Sequence, residues 1–501
     1  MNDDECLEIL YRAEDEIWRR KVDRARIDGT LSAWVTTLLP GQPSCHFDSW
    51  STRGFFNLSK KLFSEDGTPY LLRFPRGSSV SSDFADEKVA MEVEAIDLIR
   101  KNTTIPVPTV HAWGLAEANP LGLGPFILME FIEGVTIQDV FGGGEGGLLK
   151  TDIPNTDLET IYRQMANFTV QLFKIDLPRI GTLPTPVTGF AAPIRPLTMK
   201  AHDILREAGV NTFGDRTQGF STTSEYLHYV IRQDEQRLRD QPNSFMRPEK
   251  REASFISMKA VQALIHTMIN KDYDQGPFKL IYDDLDPSNL IFKSEDDLTI
   301  VGMVDFEFVY AGPAQLLASA PRWLLSQRPI SENLDSVNED QEPYDLSELY
   351  NKHLEIFQRV LYEEEEKLSG SDEKEVSKLV AWCKKSGAML LHVLAATTTY
   401  DWSRFPPVEL LEEVGAEKWK ELTDELVDQE DLRAFLAKKP DELKRYNEKL
   451  AKVKKYRGWL RRGSITKEDF IAKVRGLLMK GATSDQIEER SFLDRWMLPW
   501  L

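Results

Sequence analysis

Apolar and polar positions change rhythm several times along the chain, and each change marks an element. Residues 1–38 carry Leu7, Ile9, Leu10, Ile17 and Trp18 among charges, then Leu31 to Leu39 around Trp34. That spacing predicts helices, closed by the turn at Pro40-Gly41-Gln42-Pro43. From Phe47 the pattern turns to strands: Gly54-Phe55-Phe56-Asn57-Leu58 runs into Lys60 to Phe63, and Asp66-Gly67 separates this run from Tyr70 to Pro75. Asp-Gly between two such runs signals a hairpin. Over Asp83 to Asn102 the helical period returns, with Val89, Val93, Ile96 and Ile99 on one arc. Glu92 falls inside that arc and Glu94 outside it. A carboxylate on a buried face needs a partner, because unpaired buried charge is costly.

Ile105-Pro106-Val107-Pro108 ends the helix, since residues before proline avoid the α region. Val110 to Gly114 and Phe126 to Phe131 follow as strands, and 157–176 reads as a helix in the core of a larger lobe. A long segment punctuated by prolines, about 177–250, contains a helix around Tyr226 to Leu238. Further helices are expected at 254–269, 346–368 and 374–398. Gly142 to Gly147 lacks a following Lys-Ser/Thr and reads as a loop rather than a phosphate-binding P-loop. The acidic stretch 331–346 is another loop. Glu363 to Glu366 and the basic Lys444 to Arg462 read as solvated helix faces. Trp323 is expected in the core, and the apolar ending, Phe492 to Leu501, is expected to dock on the body.

Candidate chemistry concentrates in 279–313, KLIYDDLDPSNLIFKSEDDLTIVGMVDFEFVYAGP. Leu290-Ile291-Phe292 and Ile300 to Val304 flank the polar turn Ser294-Glu295-Asp296-Asp297, which predicts a hairpin. Asn289 then stands at one end of it and Asp305 at the other, and hard oxygen ligands of this kind suit Mg²⁺. Asp284, five residues before Asn289, would face whatever that metal holds. An Asp for the acceptor hydroxyl and an Asn and an Asp for metal are what phosphoryl transfer needs.

Composition narrows the setting. The 501 residues suffice for two lobes with additions, and 41% apolar content is enough for sizeable cores. A net charge of −19 argues against nucleic acid or an anionic membrane as partner. The three scattered cysteines, Cys6, Cys45 and Cys383, make neither a disulfide framework nor a zinc cluster, so a reducing, cytoplasmic setting is expected. No run approaches the roughly 18 apolar residues of a membrane span, and the acidic start does not resemble a signal peptide.

The 279–313 motif resembles that of the aminoglycoside phosphotransferase and choline kinase family, H-x-D, four residues, N, and a later Asp. D-D-L-x-P-S-N followed by V-D-F-E-F-x-Y-A-x-P-A is similar to a fungal branch of it, and the likeness runs over roughly 50–400. Tyr282 stands where the family has His, and Asp283 where it has Gly. The resemblance implies an α+β, bilobal protein-kinase-like fold with a small β-rich N-lobe and a larger, mainly helical C-lobe. With the chain's own pattern it suggests a helical arm (1–46), an N-lobe (47–133), a C-lobe (134–400) with a substrate-facing insertion at about 177–250, and a helical C-terminal extension (401–501). It further implies ATP and Mg²⁺ as cofactors, Asp284 as base and Asn289 and Asp305 on metal. Arg73 would be the phosphate-binding cation, paired with Glu92. Glu130 and Ile132 lie in the hinge whose backbone binds adenine. The implied acceptor is a small molecule bearing a hydroxyl. Two alternatives stand beside this reading: a nucleotide-binding scaffold in which the Tyr282 and Asp283 departures have abolished turnover, and a protein kinase. No A-P-E-type activation-loop signature follows Asp305, which places the protein kinase last.

Overall fold

In a computed structural model, the residues described are 1–479 apart from 144–148, 246, 322–345, 370–373, 397, 399–401, 403–413 and 428. The readings for most of the Gly142 to Gly147 patch, Trp323, nearly all of 331–346 and the ending at Phe492 to Leu501 therefore fall outside the described residues.

Two helices open the chain, α1 (Glu5–Ile27) and α2 (Thr30–Leu38). A five-stranded antiparallel sheet follows, built from β1 (Cys45–Arg53), β2 (Asn57–Ser64), β3 (Pro69–Pro75), β4 (Val110–Gly114) and β5 (Phe126–Glu130), in the order β1-β2-β3-β5-β4. The β2–β3 turn is fixed by Asp66, whose carboxylate accepts from Ser64 Oγ and from the Thr68 N–H, and by Gly67 at φ 85°. Strand alternation gives the sheet two faces. Leu62, Leu72, Phe74 and Leu128 pack under Trp34 and Val35 of α2. Leu71, Ile127 and Met129 face Val89 and Val93 of α3 (Ser82–Asn102), the one long helix inside this lobe.

The larger lobe is mainly helical. α4 (Ile137–Phe141), α5 (Asn155–Phe173), α6 (Met199–Ala208), α7 (Thr223–Asp240) and α8 (Pro248–Leu264) precede the motif region, and α9 (Ala314–Leu317) follows it. Next come α10 (Leu346–Ser369), α11 (Glu375–Lys385), α12 (Ala388–Ala396) and α13 (Ala416–Val427), then α14 (Glu430–Arg461) and α15 (Lys467–Met479). Five short strands hold the motif: β6 (Val135–Thr136), β7 (Lys279–Ile281), β8 (Leu290–Phe292), β9 (Ile300–Met303) and β10 (Tyr310–Gly312). They form a three-stranded sheet, β6-β8-β9, and a separate β7–β10 pair. Among the described residues no helix is long and apolar enough to cross a membrane, and all three cysteines are free thiols.

Three expectations are corrected. Glu94 is buried, because the 187–188 backbone N–H groups close over α3 and its carboxylate accepts from them at 3.0 and 2.6 Å. The Glu363 to Glu366 run is not uniformly solvated: Glu364 meets Arg163, and buried Glu365 accepts from the N–H groups of Val376 and Ser377 at the start of α11. The predicted helix 374–398 breaks at Gly387, whose φ of 72° is a conformation glycine adopts without steric cost.

Candidate active site

Two ladders bring the motif together. β8 pairs with β9 so that Leu290 lies opposite Met303, which sets Asn289 beside Val304; the Val304 N–H donates to the Asn289 carbonyl at 3.0 Å. β7 pairs with β10, with Ile281 opposite Tyr310. Segments 282–289 and 304–309 are thus the two crossovers between the same ladders and lie against each other. The Asn289 side-chain amide donates to the Asp284 carbonyl at 2.8 Å, so its amide oxygen is turned away from that bond. Tyr282 spans the gap, donating from its hydroxyl to the Val304 carbonyl at 2.6 Å. Burial, with Asp284 and Glu307 nearby, pushes this phenol well above its ordinary pKa, so it stays a neutral donor.

The adjacent carboxylates differ in burial, Asp283 being the more deeply buried of the two. Asp283 is 5% exposed and accepts from the Tyr310 hydroxyl at 3.3 Å, which in turn accepts from the Tyr226 hydroxyl at 2.6 Å. Asp284 is half-buried. Asp305 and Phe308 adopt left-handed backbone, φ 68° and 57°. Two non-glycine residues in that region within four positions mark local strain, of the kind that collects at binding and catalytic segments.

Arg73 sits on the α3 face of β3, two residues after Leu71, and its guanidinium reaches Glu92 at 2.5 Å. The same guanidinium forms an ion pair with Asp305 and lies 3.8 Å from Glu307. A second cation, which the sequence reading did not single out, completes the cluster. Lys88, 1% exposed, pairs with Glu307 and donates to Asn57 Oδ1 at 3.0 Å, and Asn57 donates to Glu307 at 2.7 Å. Lys88 is one helical turn before Glu92, a spacing that puts both on one face and could have signalled the pair. Glu130 ends β5 exposed, its carboxylate accepting from the Thr109 N–H and hydroxyl at 3.1 and 3.0 Å. Ile132 lies farther along the connection between the lobes, with its side chain over Gly302, where a Cβ would come within 2.9 Å of it.

Among the described residues no group of three or more His, Cys, Asp or Glu could hold a metal ion. An Asn amide oxygen and an Asp carboxylate nonetheless fit Mg²⁺, which typically takes one or two protein ligands and completes its shell with phosphate and water oxygens.

The family model described as "Phosphotransferase enzyme family" matches residues 54–316, more than half of the chain. The protein belongs to that family, and its fold is the bilobal, protein-kinase-like one, with a β-sheet region followed by a helical remainder. No curated protein sequence matches the chain. Among solved structures, the chain is similar to an amicoumacin kinase, at 14% identity over 81% of this chain and 96% of the other, TM-score 0.38. An aminoglycoside phosphotransferase crystallised with AMP-PNP and hygromycin B gives 15% identity over 70% and 95%, TM-score 0.34. A putative fructosamine-3-kinase from Thermobifida fusca gives 14% over 72% and 98%, TM-score 0.33.

Proposed function

We propose that the protein is an ATP-dependent kinase of a hydroxyl group on a small molecule. The observation that carries this reading is the convergence of the 282–289 and 304–307 segments beneath Arg73, with Asp284, Asn289 and Asp305 on adjoining turns of backbone. In this reading Asp284 orients the acceptor hydroxyl and takes its proton as the oxygen attacks the γ-phosphorus; the bond to the β,γ-bridging oxygen breaks and ADP leaves. Arg73, held by Glu92, grips the nucleotide phosphates, and its planar fork suits two oxygens at once. Asn289 and Asp305 would hold Mg²⁺, which neutralises phosphate charge when bound. The backbone at Glu130 and Ile132 would take adenine. The domain limits given above, and the 177–250 segment as the acceptor side, belong to the same proposal, as does a cytoplasmic setting.

Turnover then depends mostly on positioning and charge neutralisation. The test is nucleotide binding with Mg²⁺, followed by ATP consumption over a panel of hydroxylated metabolites. Asp284→Asn should lower kcat by about a thousandfold or more while leaving nucleotide affinity within about threefold. Equal loss of both would remove Asp284 from the role of base. One observation favours a second reading, a scaffold that binds nucleotide without turnover: Arg73 is bridged directly to Asp305. Nucleotide binding with no consumption on any acceptor, together with a tightly engaged protein partner, would establish it.

A further inference from the structure

The N-terminal arm shows no chemistry in its sequence, yet one of its side chains is buried against the loop that precedes β2. Asp15 of α1 is 2% exposed. Its Oδ1 accepts from Arg76 Nε and Nη2 at 3.3 and 3.2 Å and from Ser78 Oγ at 2.7 Å, and its Oδ2 accepts from Arg53 at 2.6 Å. The far end of the Arg76 guanidinium donates from Nη1 to the carbonyls of Gly54 and Phe55, at 2.9 and 3.0 Å. A carboxylate on one helix therefore fixes a guanidinium whose other edge fixes two consecutive loop carbonyls. Gly54 is the only glycine between β1 and β2, so the loop has little conformational code of its own. α1 is itself held from behind by α15, through Glu14–Arg475 at 2.8 Å and a Glu16–Lys467 ion pair.

We infer that Asp15 is a positioning residue for the 54–56 loop: through Arg76 it sets the height of the loop over the nucleotide phosphates, and α1 and α15 form the brace behind it. This rests on the phosphotransferase reading for what lies under the loop, but the anchor itself does not. A carbonyl pair held by a doubly bonded guanidinium resists displacement more than one held by solvent, because charge-assisted, bidentate hydrogen bonds are the strong ones. Asp15→Asn keeps the shape and weakens the charge on which Arg76 and Arg53 rest.

The test uses the full chain and two independent readouts. Hydrogen–deuterium exchange in Asp15→Asn should quicken over 53–57 by about tenfold while α3 and β5 stay as protected as before. Affinity for a fluorescent ATP analogue with Mg²⁺ should fall by on the order of tenfold, and Asp15→Glu should recover part of both. Arg53→Ala, at a half-exposed side chain, removes one contact to Asp15 and should shift both readouts the same way by less, which keeps the test decisive if Asp15→Asn does not fold. Unchanged exchange at 53–57 in a folded variant overturns the anchor. Faster exchange with unchanged nucleotide affinity overturns its role over the phosphates. Should the unaltered protein bind no nucleotide, the phosphotransferase reading fails, and with it that role; the exchange measurement still decides the anchor.

Discussion

At the scale of single residues, the candidate site is a compact alternation of charge: two cations, Arg73 and Lys88, among Glu92, Glu307 and Asp305. Burying such a set is worthwhile only if every member keeps a partner, and removing one partner of a buried pair typically costs about 3–5 kcal/mol. Lys88→Met should therefore lower unfolding stability by about 3 kcal/mol or more. Lys88→Met with Glu307→Gln should recover part of that loss, since the double change strands no charge; the denaturant midpoints of the two variants settle it. Asp283 invites a separate test. It accepts a hydrogen bond from Tyr310, whose hydroxyl is pushed well above its ordinary pKa by burial and by Asp283 itself, so Tyr310 acts as a donor throughout the working range. Tyr310→Phe leaves Asp283 without that donor and should cost about 1–3 kcal/mol in thermal or denaturant unfolding; no change would mean the contact carries no stability.

At the scale of elements, the 177–250 segment is tied to the candidate site through α6. His202 is fully buried and sits with its ring 5.1 Å from Phe308 and 5.7 Å from Phe56. Burial, with Arg206 and Lys88 nearby, holds its pKa down to about 3, against the smaller pull of Glu307 and Glu207, while Asp203 lies at 3.4 Å. A base whose folded pKa lies below its unfolded value costs stability as pH falls through that unfolded value, near 6.5. Between pH 7 and pH 4.5 the protein should lose about 2 kcal/mol through this group, and His202→Gln should flatten that part of the profile. The same scale shows what could be read from the chain. The β8–β9 hairpin, α3 and the β2–β3 turn were legible because each is written in local spacing and turn chemistry. So was the approach of Asn289 to Asp305, which needs only the hairpin register. Lys88 was not, although it shares a helix face with Glu92, because its partner Glu307 lies in a distant segment and the companion pair Asn57–Glu307 is separated by 250 positions. Asp15 was invisible for the same reason, and Glu94 was misread because strand-free loop backbone, which has no periodicity, supplies its partners.

At the scale of the whole molecule, the first helix and the last described helices share one apolar cluster. Cys6, Ile9, Leu10 and Ala13 of α1 pack with Tyr446 and Val453 of α14 and Phe470, Ile471 and Val474 of α15. This cluster is distinct from the large one that runs through the helical lobe. Ile471→Asp places an unpaired charge in it, which is costly, and should make 463–479 sensitive to limited proteolysis while leaving the unfolding midpoint of the larger lobe close to its unaltered value. Simultaneous collapse of both would show the cluster to be continuous with the lobe in energy.

The meeting of α1 with α14 and α15 also has a temporal side. During synthesis α1 leaves the ribosome before α14 and α15, and the surfaces that cover its Cys6, Ile9, Leu10 and Ala13 are made some four hundred residues later. At about 5–20 residues per second that is a wait of tens of seconds. In that interval those side chains are exposed to chaperones and to other chains, and what the first helix does for the rest of the protein begins only once translation has passed it by.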